Sequence, residues 1–221
     1  MNLSLFSKEL FQCFSPYQIL AQSLLPLALE SDDGSHDVAH LNRVWKNCCK
    51  INKFEGGDLR ILCASVLLHD IVAVEKNSPE RHLASRMAAE KARLTLSRLE
   101  WKAADIEAVA HAIEAHSFSA GINPQTLEAR IMQDADRLDS LGLIGVARCF
   151  YIGGRMHSSL YDVTDPLALY REHDDKCFTL DHFATKLFKL EDIFQTKTGL
   201  QLAQQRTENM RQFFSGLLKE L

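Results

Sequence analysis

Glycine and proline are scarce in this chain, ten and five in 221 residues, and they fall mostly between stretches of helical period. There is no low-complexity segment, no internal repeat and no Gly/Ser linker. Basic charge is also in short supply: 25 Lys and Arg against 29 Asp and Glu give a net charge of −4, and no long Lys/Arg tract occurs. That removes the electrostatic case for a nucleic-acid polymer as partner and leaves room for a local basic pocket that takes a small phosphate. No apolar run approaches the ~20 residues of a membrane span, so no membrane partner is expected. The first residues have no basic region and carry Glu9 inside their apolar stretch, a poor signal peptide. The six cysteines show no CxxC spacing, and Cys48 and Cys63 sit in helical patterns as small hydrophobes. They read as reduced and structural, which favours the cytoplasm.

What the chain does have is helical period almost everywhere, and no sustained strand alternation. The spacing predicts an all-α, compact single domain over residues 1–221 with nine or ten helices. They fall at about 3–12, 16–29, 37–54, 58–72, 80–99, 103–117, 125–136, 139–154, 180–196 and 200–219. Phe183, Leu187, Leu190 and Phe194, then Leu202, Met210, Phe213, Phe214 and Leu217, mark the last two as packing helices. The apolar C-terminal helix could also serve a homodimer.

Two stretches are out of keeping with an ordinary helical core. The apolar run Ile61 to Leu68 ends in His69-Asp70, and a buried unpaired carboxylate costs several kcal/mol, so such a group is usually paired or metal-bound. Adjacent residues in mid-helix point about 100° apart, whereas at a helix end, where the chain turns, both can serve one centre. The second stretch is Ile131 to Leu141, which carries Asp134, Asp136 and Asp139 in an apolar setting. His40 lies one turn inside a helix that follows a segment rich in capping residues. Lys76, Arg81 and Arg86 cluster just after the His-Asp pair, where Pro79 suits a helix start, itself an anion site. His116 is placed at a helix end before Ser117. The histidines at 82, 157, 173 and 182 have no evident partner in the pattern.

The series His40, His69-Asp70, Asp136 resembles the HD-domain superfamily of metal-dependent phosphohydrolases, named for its adjacent His-Asp. The pieces SHDVAHLNRV, LLHDIV, KNSPERHLAS, AHSFS and QDADRLDSLG stand in the order found in small bacterial single-domain members. The likeness covers about residues 30–160, with packing helices on either side. It implies that His40, His69, Asp70 and Asp136 hold one divalent cation, a nitrogen and oxygen donor set suited to Mn, Mg, Ni, Fe or Zn. Asp70, His116, Asp134 and Asp139 are then the catalytic candidates. Beyond ligation by Asp70, His116 contacts phosphate or hands a proton to the leaving group, while Asp134 and Asp139 orient a ligand or the attacking water. Lys76 and Arg81 bind the substrate phosphate.

The function implied is hydrolysis of a nucleotide or other small phosphorylated metabolite. Nucleoside triphosphate pyrophosphohydrolysis by metal-activated water leads, and phosphomonoester or cyclic-nucleotide hydrolysis at the same site is the alternative. A di-iron oxygenase on the same scaffold needs two more histidines. His111 and His116 are five residues apart, roughly 140° round a helix, so both reach one centre only if the helix ends between them. A non-catalytic nucleotide-binding sensor with a structural metal is the remaining reading.

Overall fold

Several helices begin here where an aspartate or threonine accepts from free backbone N–H groups, as Asp37, Asp58 and Thr196 do. The structure, a computed structural model, describes residues 8–29, 37–72, 74 and 78–221. Among them are ten α-helices: α1 (Lys8–Gln12), α2 (Gln18–Ala28), α3 (Val38–Glu55), α4 (Leu59–Leu68), α5 (Ala84–Arg98), α6 (Ala103–His116), α7 (Leu127–Leu138), α8 (Gly142–Arg155), α9 (Asp181–Thr185) and α10 (Lys197–Leu218). The only β-type pairing among the described residues is an isolated bridge between Ser159 and Phe178. The all-α expectation holds. None of these helices is long and apolar enough to cross a membrane.

Contacts divide the chain into two compact units, residues 1–136 and 137–221. In the first, α4 is the hub, packing against α2, α3, α5 and α6. Its sequence is apolar all round, and every residue from Ile61 to Leu68 is buried. Asp58 starts this helix by accepting from the N–H groups of Arg60 (2.7 Å) and Ile61 (3.3 Å). Asp37 starts α3 in the same way, accepting from the His40 N–H at 2.8 Å. Gly56 stops α3 with φ 84°, a conformation that side chains rarely adopt. The expected helix at 58–72 ends four residues early, so His69 is its C-cap and Asp70 lies in the turn beyond.

In the second unit α8 packs on α10, and Phe150, Phe183, Phe188, Phe213 and Phe214 form an aromatic cluster with ring centroids 5.1–6.1 Å apart. The single helix expected over 180–196 is two pieces: α9, then a 3₁₀ segment at Leu187–Ile193, broken at Lys186 (φ −132°). Leu187 and Leu190 stay on one face because 3₁₀ geometry stacks residues three apart. His182 does have a partner, the Asp175 carboxylate at 2.9 Å. Arg171 clamps Asp181 with two hydrogen bonds (2.5 and 2.9 Å) and so ties down the long loop before α9.

Two glycines of α8 differ in what a methyl group would meet. At Gly145 a Cβ would overlap the Ser140 carbonyl oxygen, whereas at Gly154 nothing lies within 4 Å. Gly145→Ala should therefore lower stability by about 1–3 kcal/mol or more. Gly154→Ala should raise it by about 0.5–1 kcal/mol. Thermal unfolding of the two variants should show shifts of opposite sign; equal shifts would refute the packing account.

Candidate metal centre

Three helices of the first unit present residues from their C-terminal ends to one place: α4 with His69 and Asp70 just beyond it, α6 with His116 as its last residue, and α7 with Asp136 in its last turn. Helix C-termini carry partial negative charge, which favours a cation. His40 comes in from the first turn of α3. The His40 and His69 Nε2 atoms are 3.2 Å apart, and His69 Nε2 is 3.1 Å from Asp70 Oδ2. Asp136 Oδ1 lies 3.5 Å from His40 Nε2 and 3.8 Å from His69 Nε2, and Asp70 Oδ2 is 4.0 Å from His40 Nε2.

These spacings suit ligands of a common ion. Donors about 2.1 Å from one centre stand roughly 3.0 Å apart at right angles and at most about 4.2 Å apart. Two groups of potential ligand atoms within 4.8 Å of one another result, His40–His69–Asp136 and His69–Asp70–His116. The three imidazoles are buried, while the Asp70 and Asp136 side chains are 24% and 27% exposed. The histidines form a dry floor, and the carboxylates stand at an edge that water and a substrate oxygen can reach.

Backbone carbonyls fix which ring nitrogen faces the centre. His69 Nδ1 donates to the Val66 carbonyl (2.8 Å) and His116 Nδ1 to the Ile113 carbonyl (2.6 Å), since a carbonyl can only accept. Both Nε2 atoms are thereby turned to the site, the orientation a ligand histidine needs. Burial opposes charge on His69, but the Asp70 carboxylate beside it, and then Asp136, outweigh this and push its pKa up to about 9. Burial holds His116 below the usual histidine value, helped by His69 and opposed by Asp136 and Asp70. The His116 Nε2 lies 3.9 Å from Asp70 Oδ1. The two oxygens of Asp70 thus face different histidines.

Of the residues singled out in the sequence, the structure brings His40, His69 and Asp136 together in one trio and His69, Asp70 and His116 in another, with His69 common to both. Asp134 is fully buried but leaves α7 about 200° round the axis from Asp136. Asp139 is buried in the second unit, its Oδ2 accepting from Arg148 at 2.7 Å. His111 is not with His116: its Nε2 accepts from the Gln125 N–H at 2.9 Å, so the second histidine of a di-iron site is engaged elsewhere. Lys76 lies outside the described residues, as does the side chain of Arg81; the Arg81 backbone is in a short 3₁₀ segment, Pro79–Leu83.

Sequence reasoning passed over two buried carboxamides. Asn47 Nδ2 donates to the Ala135 carbonyl (3.0 Å) and Gln133 Nε2 to the Ala115 carbonyl (2.5 Å). A signal was present: Asn47 falls on the same stripe of α3 as His40, Val44 and Ile51, and Gln133 is one turn before Asp136.

The HD domain model matches residues 38–141. YpgQ of Bacillus subtilis is 28% identical over 197 residues, 87% of this chain and 88% of that protein. The crystal structure of YpgQ in complex with ADP superimposes with a TM-score of 0.69 at 30% identity, covering 90% of this chain and 96% of that one. A Lactobacillus plantarum protein matches with a TM-score of 0.71 at 30% identity over 93% of this chain and 97% of its own. An HD-superfamily hydrolase of Bacillus thuringiensis gives a TM-score of 0.65 at 29% identity, with 97% and 98% covered.

Proposed function

The chain belongs to the HD-domain family of metal-dependent hydrolases, and from that membership we propose that it is a phosphohydrolase of a nucleotide or other small phosphorylated metabolite, with nucleoside triphosphate pyrophosphohydrolysis as its reaction. The observation that carries this reading is the convergence of Asp70 and Asp136 on the paired His40 and His69 imidazoles, at His–His and His–Asp distances of 3.1–4.0 Å, dry on one side and open on the other. When bound there, a divalent ion (Mn, Mg, Ni, Fe or Zn) would supply a Lewis acid and make water more acidic. The ADP held by YpgQ favours a nucleotide among small phosphorylated substrates.

The chain's own residues do the remaining work. Asp70 and Asp136 supply negative charge at the solvent edge, and His40 and His69 exclude water behind it. In the proposed reaction a water oxygen bonds to the α-phosphorus and gives up its proton to solvent, the bond to the α–β bridging oxygen breaks, and pyrophosphate leaves. His116 is assigned to contact the phosphates or, once protonated, to hand its Nε2 proton to the leaving oxygen. Lys76 and Arg81 are assigned to the phosphate chain, where cations favour the charge that develops. Buried Asp134 is assigned an orienting role; for Asp139, the pair with Arg148 accounts for burial within its own unit.

The test is a panel of nucleoside tri-, di- and monophosphates and cyclic nucleotides with each metal and with none, every product identified. Pyrophosphate release from triphosphates, dependent on metal, is the expected result. Free phosphate from monophosphates or opening of cyclic nucleotides instead would replace the assigned reaction with a neighbouring one. Metal-loaded protein that hydrolyses none of them would overturn the phosphohydrolase reading.

A further inference from the structure

A metal centre built at helix ends has a difficulty that ligand identity does not solve. Helix termini fray, and their last carbonyls need partners from outside the helix. Yet donor atoms must be held to within about 0.5 Å to favour one geometry. Asp136 lies in the last turn of α7, and His116 is the last residue of α6. Something must hold those two turns still.

Two side chains meet that need in the same way. Asn47 Nδ2, on α3, donates to the carbonyl of Ala135, the residue immediately before Asp136. Gln133 Nε2, on α7, donates to the carbonyl of Ala115, the residue immediately before His116. Both residues are 2% exposed, so water hardly competes for these bonds. Because each acceptor is a carbonyl, the amide nitrogen is the atom that must face it. Asn47 sits seven residues beyond His40, two turns along the same face of α3. Its bond therefore ties the helix of one ligand to the helix of another. Gln133, one turn before Asp136, ties α7 to the end of α6. The two amides link α3 to α7 and α7 to α6, joining in series the three helices on which His40, Asp136 and His116 stand.

We propose that Asn47 and Gln133 are positioning residues of the metal centre, paired carboxamide braces that fix the spacing between His40, Asp136 and His116. This rests on the reading of the cluster as a metal site. Neither amide is charged, so replacing it by an apolar residue of like size leaves the net charge of the centre unaltered. Any change in metal binding then reports geometry.

The experiment uses the full chain, stripped of metal and titrated with Co(II), whose visible absorption reports coordination. Wild type, Asn47→Leu, Gln133→Met and Leu96→Ala are compared, the last a buried core truncation on α5, a helix that carries none of the cluster's residues. Wild type is expected to take up Co(II) with a defined visible spectrum. Asn47→Leu and Gln133→Met are expected to bind it ten- to a hundredfold more weakly, with altered band positions or intensities. Leu96→Ala is expected to melt at lower temperature with wild-type affinity and spectrum. Should Asn47→Leu not fold, Gln133→Met decides alone, being close to isosteric. Folded brace variants that match wild type in affinity and spectrum overturn the inference while leaving the metal site intact. Affinity losses in the brace variants no larger than in Leu96→Ala overturn it too. A wild-type chain that takes up no Co(II) overturns the metal reading itself, and the inference with it.

Discussion

Asp70→Ala should lower metal-dependent turnover by about a thousandfold or more while leaving the fold in place. A bound divalent ion contributes several kcal/mol of transition-state stabilisation, and about 4 kcal/mol corresponds to a thousandfold. Asp70 is poorly replaced because it meets both parts of the cluster, Oδ2 at 3.1 Å from His69 and Oδ1 at 3.9 Å from His116. Its loss removes a donor, one negative charge and the main partner that charges His69 in the metal-free protein. Stability should suffer little, since the side chain lies in the turn after α4, outside the apolar core, and is a quarter exposed. Thermal melts and initial rates over a range of metal concentrations check this. A folded Asp70→Ala protein with full turnover at low metal would remove Asp70 from the site.

The centre was legible in the sequence to the extent that its residues break a local rule. A His-Asp pair closing an unbroken apolar run, and aspartates in an apolar helix, are costly unless something holds them, so they stand out. The fold class was legible for a related reason: helical period is a local property, and it survives wherever packing does not oppose it. What was not legible depends on contacts far apart in the chain. The break at Lys186 lies in a stretch tied down through Arg171, Asp174 and Asp175 of the preceding loop, and no pattern within 180–196 reports those bonds. The orientation of His116 rests on its bond to Ile113, and whether Nε2 then faces anything depends on where α4 ends. Asn47 broke a rule as well, a carboxamide on the buried stripe of α3, but an uncharged amide is a weaker anomaly than a charge.

Metal-free protein should be most stable near pH 6.5 and lose stability as the pH rises to about 9, and bound metal should abolish or reverse that fall. His69 sets the upper side. Its pKa is about 9 in the folded protein, above the 6.5 of an unperturbed histidine, because the Asp70 and Asp136 carboxylates outweigh its burial. A raised folded-state pKa contributes stability that is fully present below 6.5 and lost as the pH rises through 9. The total is on the order of 3 kcal/mol. His116 sets the lower side with the opposite sign. Burial depresses its pKa, so the unfolded chain takes up the proton more readily and stability declines as the pH falls through 6.5. The thiols of buried Cys48, Cys63 and Cys149 and of half-buried Cys49 are pushed up from 9 by desolvation, so their contribution is lost only above pH 9 and does not enter this window. A metal ion needs His69 deprotonated, so binding releases its proton and apparent affinity strengthens by up to about tenfold per pH unit toward 9. Metal at 100 times its Kd adds about 2.7 kcal/mol. The gap between loaded and stripped protein should therefore widen with pH, which melts in chelator and in excess Mn(II) at pH 6.5, 7.5 and 8.5 would measure. A stripped protein whose melting temperature is flat across that range would show that His69 is not held in its charged form by Asp70 and Asp136.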